Sequence, residues 1–198
     1  NWTYTGTKIN YVNTYYSTNG GTDWTLIESN VDSGNGTFYL WPLVPTLTCN
    51  NNAKVKVSDA DGDHINGTSA IFNIVGSLRL ISPDGNNNFK VGESNPISWE
   101  QYAVSLINIS YSINNVSWTP IATNYNASNS PYSWAIDNDT QVSNTVIVKV
   151  EDTSNPTVVK DTSNSTFAII AVFNITQPES GYPVIAEETT NINWTKKG

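Results

Sequence analysis

The chain repeats itself with a period of about 94 residues. Ile109-Ser-Tyr-Ser-Ile-Asn-Asn-Val-Ser-Trp118-Thr-Pro-Ile121 restates Tyr15-Tyr-Ser-Thr-Asn-Gly-Gly-Thr-Asp-Trp24-Thr-Leu-Ile27. Val148-Lys-Val-Glu-Asp152 restates Val55-Lys-Val-Ser-Asp59, and Phe167-Ala-Ile169 restates Phe72-Asn-Ile74. A third copy opens at Ile192-Asn-Trp194, which repeats Ile97-Ser-Trp99. The segment Asn1-Trp-Thr-Tyr-Thr-Gly6 matches Asn193-Trp-Thr-Lys-Lys-Gly198. A fixed period of this length means that one supersecondary unit is copied along the chain, so architecture is set before any single residue is considered.

The repeats are strands. In Leu106–Ile113, Ile107, Ile109, Tyr111 and Ile113 share one face while Asn108, Ser110 and Ser112 share the other. That alternation predicts a half-buried strand. Thr145–Val150 and Thr166–Val172 are β-branched runs bounded by Asn, Ser and Pro, and no segment carries a capped helical stripe. Turn signals at Asn19-Gly-Gly21, Asp61-Gly-Asp63, Pro83-Asp-Gly85 and Ser154-Asn-Pro156 recur at the spacing of a β-sandwich. The expected fold class is therefore all-β. The expected division is residues 1–76 as a domain without its first strand, 77–171 as a complete domain, and 172–198 as the first two strands of a further one.

Composition narrows the function. Hydrophobic residues make up 38% of the chain, enough for packed cores, whereas charged residues make up only 13% and the net charge is −8. Nine scattered Lys and Arg residues do not form a phosphate-binding face, so nucleic acid is excluded as a partner. No apolar run approaches the ~20 residues of a membrane-spanning helix. The single Cys49 excludes an internal disulfide, and Val142 at its repeat position favours a small buried hydrophobe over a reactive thiol. With no Met, and Asn at position 1, the chain reads as a processed polypeptide or part of a longer one.

Residues 78–170 contain Ser82-Pro-Asp-Gly85, Val91-Gly-Glu93, Ile97-Ser-Trp99, Ile109-x-Tyr-Ser112, Val116-Ser-Trp118, Tyr132-Ser-Trp134, Val148-Lys-Val150, Asp161-x-Ser163 and Phe167-x-Ile169. Together these resemble the tandem immunoglobulin-like repeat of large secreted bacterial and archaeal surface proteins. They also resemble the module that heads fungal Ser/Thr-rich, GPI-anchored cell-wall proteins. The resemblance implies tandem Ig-like, fibronectin-III-like β-sandwiches and a role as stalk, spacer or adhesive array. Two departures stand out: Glu187-Glu188 replaces Gly92-Glu93 in the third copy, and Asp161 has no clear equivalent in the first.

Each chemical motif has a structural explanation beside it. Ser17–Trp24 resembles the Asp-box hairpin of sialidases, but that family needs three arginines and this chain has only Arg79, so a structural turn is expected. Trp2, Trp99 and Trp194 are equivalent positions, as are Trp24 and Trp118, and Trp41 and Trp134. Recurrence at these places favours core packing over a sugar-stacking platform. Tyr39, Tyr125 and Tyr132 are the aromatics left over for a glycan surface. Asp59, Asp61 and Asp63 alternate around a Gly turn, a pattern that suits calcium, although no closing Glu follows. His64 is the only histidine and has no evident nucleophile partner, so no catalytic set is expected and the chain is read as a non-enzyme.

Sequons begin at Asn1, Asn35, Asn66, Asn108, Asn115, Asn126, Asn138, Asn164, Asn174 and Asn193. The 28 Asn and 44 Ser plus Thr would place about six by chance, so ten is an excess, and N-linked glycans are the expected covalent addition. No cofactor is expected beyond these glycans and calcium. The functional expectation is an extracellular, cell-surface filament, stalk or adhesin segment. It would assemble head to tail with copies of itself, either by β-sandwich completion through Ile175, Val184, Ile185 and Ile192 or as a covalent tandem array. The alternative is a carbohydrate-binding module of a cell-wall-associated protein, with surface glycans as partner.

Overall fold

The computed structural model describes residues 1–3, 9–33, 39–41, 50–62 and 64–198. Cys49, Asn35 and Asp63 lie outside these residues. The fold is all-β, and the chain divides into two compact units, Asn1–Gly76 and Ser77–Gly198. Residues 172–198 are counted with the second unit.

Unit 1 contains β1 (Tyr11–Ser17), β2 (Thr25–Asp32), β3 (Asn50–Asp59), β4 (Asn66–Thr68) and β5 (Phe72–Ile74). Its sheet runs β2-β1-β3-β4 with β5 beside β3, all antiparallel. Unit 2 contains β6 (Ser77–Ser82), β7 (Asn88–Lys90), β8 (Ser94–Tyr102), β9 (Leu106–Ser112), β10 (Thr119–Asn126) and β11 (Tyr132–Ala135). It continues with β12 (Ser143–Asp152), β13 (Lys160–Thr162), β14 (Phe167–Ile170), β15 (Val172–Gln177) and β16 (Asn193–Lys197). One sheet runs β10-β9-β12-β14-β7 with β13 beside β12, a second runs β11-β8-β6, and β15 with β16 form a hairpin of their own.

The alternation read from the sequence is what buries the core. Ile107, Ile109, Val148 and Val150 of one sheet of unit 2 are fully buried, and Leu80, Ile97, Trp99 and Trp134 of the other are buried as well. Phe89 packs on Phe167 with ring centroids 4.9 Å apart and edge-on to Trp134 at 6.2 Å. Both contacts draw β7, β14 and β11 together. The backbone of β6 is clamped across the layers: Leu80 N donates to Asp161 Oδ2 at 2.8 Å, and the other oxygen of Asp161 accepts from Thr162 N at 2.9 Å.

The repeat is kept at the level of strand register. In unit 1, Val57 pairs with Thr14 and Gly67; in unit 2, Val150 pairs with Ile109 and Asp161. Thus Gly67 holds the place of Asp161. The Ser17–Trp24 turn is one residue longer than its partner Ser112–Trp118, yet both use the same device. Ser17 Oγ accepts from Asn19 N, as Ser112 Oγ accepts from Asn114 N, each at 3.3 Å. Gly20 and Gly21 supply the positive φ of the longer turn, at 74° and 97°, while Asn115 supplies it in the shorter one. Glu187, which replaces Gly92, keeps that glycine's left-handed backbone, with φ of 67° against 74°.

Two sequence expectations change here. Val142, at the position of Cys49, is 43% exposed, so that place in the second copy is surface and not core. Trp24 and Trp118 lie half-buried outside the apolar layer: Lys56 Nζ sits 5.4 Å from the Trp24 ring and Lys149 Nζ 4.7 Å from the Trp118 ring. Their recurrence reflects a repeated cation–π stack on the outer face.

Replacing Asp161 by Ala leaves the Leu80 N–H without its acceptor, an expected cost of about 1–3 kcal/mol to unit 2. Urea unfolding of the full chain checks this. Asp161→Asn, which retains an acceptor oxygen, is expected to lose less.

Candidate functional site

The largest difference between the repeats lies over β3 and β4. There unit 1 opens into a cavity of about 480 Å³, lined by Trp2, Val12, Val55, Val57 and the Asn66–Ser69 segment among others. In unit 2 the same surface, formed by β12 and β13, is covered by β6. The consequence appears in burial: Val148 and Val150 are 0% exposed, whereas their counterparts Val55 and Val57 are only half-buried. A Cβ placed on Gly67 would meet no atom within 4 Å. Trp99 anchors its indole by donating Nε1–H to Ala127 O at 2.8 Å, but the equivalent Trp2 Nε1 is buried without a partner among the described residues.

The complementary feature is the β15–β16 hairpin. It reproduces β6–β8 pair for pair: Leu80↔Trp99 becomes Ile175↔Trp194, Leu78↔Gln101 becomes Phe173↔Lys196, and the irregularity at Ser82↔Ser98 reappears at Gln177↔Asn193. Burial does not follow register. Leu80, Ile97 and Trp99 are 4%, 0% and 4% exposed, while Ile175, Ile192 and Trp194 are 58%, 63% and 56% exposed. Of the residues expected to form an assembly strand, Ile175 lies in β15 and Ile192 just before β16. Val184 and Ile185 lie in the connection between these strands and are also exposed.

The other candidate sites resolve differently. Among the nine described sequons, Asn108 is half-buried and the other eight asparagines are exposed. Asn108 Oδ1 accepts from Asn124 N at 3.1 Å, as Asn13 Oδ1 accepts from Asn30 N at 3.0 Å, so this asparagine also supports a repeated left-handed corner. At Asn164, the side-chain amide donates to Asp84 Oδ2 at 3.0 Å and the backbone N–H to Asp84 Oδ1 at 2.6 Å. These two bonds hold the Asp84 carboxyl below its ordinary value, the amide contributing most.

Asp59 Oδ1 accepts from Asp61 N at 3.1 Å, and Asp152 Oδ1 accepts from Ser154 N at 3.0 Å in the same turn of unit 2. The Asp59 carboxylate therefore has a turn-closing role shared by a repeat without the other two aspartates. Among the described residues no group of three acidic, His or Cys side chains converges. Of the three tyrosines considered for a glycan surface, Tyr125 and Tyr132 meet nearly perpendicular, at 88° with centroids 5.0 Å apart, and Tyr125 packs edge-on to Trp99. Their faces do not form a coplanar platform. The Tyr39 hydroxyl donates to Glu28 Oε2 at 3.5 Å; partial burial, then the charge of Glu28, raises its pKa.

No helix among the described residues is long and apolar enough to cross a membrane. No family model, curated protein or solved structure matches the chain.

The contrast between equivalent tryptophans is directly measurable. Trp99→Ala is expected to destabilise unit 2 by about 3–5 kcal/mol, whereas Trp194→Ala in the isolated chain is expected to stay within about 0.5 kcal/mol. Chemical denaturation of both variants checks this. For Asp84, the depressed folded pKa means that its contribution is complete above the unfolded value of ~3.9 and is lost as pH falls through the lower folded value. Carboxyl titration by NMR is expected to place Asp84 below that value in the native chain and to move it up, though still below that value, in Asn164→Ala, which keeps the backbone N–H bond.

Proposed function

We propose that this chain is a structural repeat segment of an extracellular, glycosylated cell-surface filament, stalk or adhesin, built from tandem immunoglobulin-like β-sandwiches. The strand order of unit 2 supports the Ig-like reading. On this reading the order β11-β8-β6 corresponds to E-B-A in one sheet, and the run β9-β12-β14 to C-F-G in the other. The observation that carries the functional reading is repetition with retained register. The β1–β3 ladder of unit 1 and the β9–β12 ladder of unit 2 pair residue for residue, and β15–β16 begins the pattern again. A module copied at this fidelity supplies length and a repeated surface, since neither copy needs chemistry the other lacks.

Surface chemistry supports the setting. Charge is sparse, and the outward positions are Asn, Ser and Thr, with exposed sequons at Asn1, Asn66, Asn115, Asn126, Asn138, Asn164, Asn174 and Asn193. Glycans at such positions hydrate a face that has few charges to do so.

The denatured mass of the polypeptide isolated from its native source, before and after enzymatic deglycosylation, tests the reading. A fall in mass on deglycosylation is the expected result. An unchanged mass removes the glycosylated surface role, whatever the assembly mode.

A further inference from the structure

We propose that Asn66 on β4 carries the glycan of the outer sheet face in unit 1, and that the sequon at Asn108, on the same face of unit 2, stays bare; this rests on the glycosylated-surface reading above.

Cross-strand register places both asparagines in one row of the repeat. In unit 1 the row runs Asn13, Ser58, Asn66; in unit 2 it runs Asn108, Glu151, Lys160. By alternation Ser58 shares a face with Lys56, opposite Val55 and Val57, and Glu151 shares one with Lys149. Asn66 therefore stands where unit 2 has Lys160, at the end of the row. Asn108 stands where unit 1 has Asn13, inside it.

A sequon is usable when its amide nitrogen and the hydroxyl two residues on both lie at the surface. Asn66, Gly67 and Thr68 are all exposed. Lys160 is exposed as well, so exposure at this place is a property of the repeat. Asn108 differs on every count. It is half-buried with Oδ1 accepting from Asn124 N, Ile109 is 0% exposed, and Ser110, which holds the sequon hydroxyl, is 8% exposed. Across the ladder from it, Glu151 is paired with Lys149 at 2.8 Å, their side chains 20% and 19% exposed. A sugar on Asn108 would have to open a row that this ion pair closes.

In unit 1 a serine replaces that glutamate. Ser58 is 2% exposed, and its Oγ has no hydrogen-bond partner among the described residues. A buried hydroxyl without a partner is costly, and this one lies directly across the ladder from Asn66. The first sugar on Asn66, with hydroxyls that both donate and accept, supplies the partner. The transfer needs an activated sugar donor of the pyrophosphate-linked class. A bond forms between Asn66 Nδ2 and the anomeric carbon, the anomeric C–O bond to the pyrophosphate breaks, the pyrophosphate leaves with the electron pair, and Nδ2 gives up one proton.

Glycopeptide mass spectrometry on the polypeptide from its native source, deglycosylated enzymatically in heavy-oxygen water, tests the assignment. The heavy-oxygen label is expected at Asn66 and absent at Asn108. A sugar on Asn108, or a bare Asn66 in a chain that carries sugar at other sequons, overturns the proposal and leaves the glycosylated-surface reading standing. A chain with no sugar at any sequon overturns both. Ser58→Ala tests the contact separately. In the chain made without glycosylation the variant is expected to melt at or above the wild-type temperature, because an unpartnered hydroxyl is removed. In the glycosylated chain it is expected to melt a few degrees lower, because a hydrogen bond is lost. The same shift in both forms overturns the contact between the sugar and Ser58.

Discussion

A sheet with one apolar face is stable only where something lies over that face. The central ladder of β9 and β12 has Ile107, Ile109, Val148 and Val150 pointing one way, and their complete burial depends on the β6–β8 hairpin across the core. At roughly 25 cal/mol per Å² of apolar surface, covering four such side chains is among the larger favourable terms available to a domain of this size. The remaining features of unit 2 secure that cover. Asp161 fixes the backbone of β6, the Trp99 indole bonds Ala127 O, and Phe89 with Phe167 seals the side at β7.

Unit 1 repeats the ladder half of that arrangement and the β15–β16 hairpin repeats the register of the β6–β8 half. Among the described residues, Val55 and Val57 of the unit 1 ladder are half-buried, and Ile175 and Trp194 of the hairpin are exposed. Neither half is locally irregular. Registers, turn devices and the left-handed corners at Asn30 and Asn124 are all retained, which is expected when local geometry is fixed by hydrogen bonding within each sheet. The burial of the ladder differs more than its local geometry.

Much of the surface chemistry has a structural role that a list of residue types conceals. Asn13, Asn108 and Asp59 all supply side-chain oxygens to main-chain N–H groups at turns and corners, and Lys56 and Lys149 cover the faces of Trp24 and Trp118. In a protein with so few charges, short polar side chains perform the satisfaction of backbone donors that buried loops require. The two tyrosines nearest to a glycan platform, Tyr125 and Tyr132, pack edge to face and rest on Trp99.

The sequence by itself determined the all-β class, the period of the repeat and most strand positions, because alternation and β-branched runs are local signals that need no partner to be legible. It also located Ile175 and Ile192 as apolar residues of a strand pattern. Only the tertiary structure decided which of the repeated residues are covered. Trp99 and Trp194 occupy equivalent places in equivalent hairpins, yet one is buried and the other bare, and Trp118 recurs with Trp24 for a reason unconnected with the core. Nor did the sequence reveal that Gly67 stands where Asp161 clamps β6, since that equivalence exists only through cross-strand register. Alternation specifies the side of a strand that seeks burial; it carries no information about the layer that provides it, because that layer is contributed by residues distant along the chain.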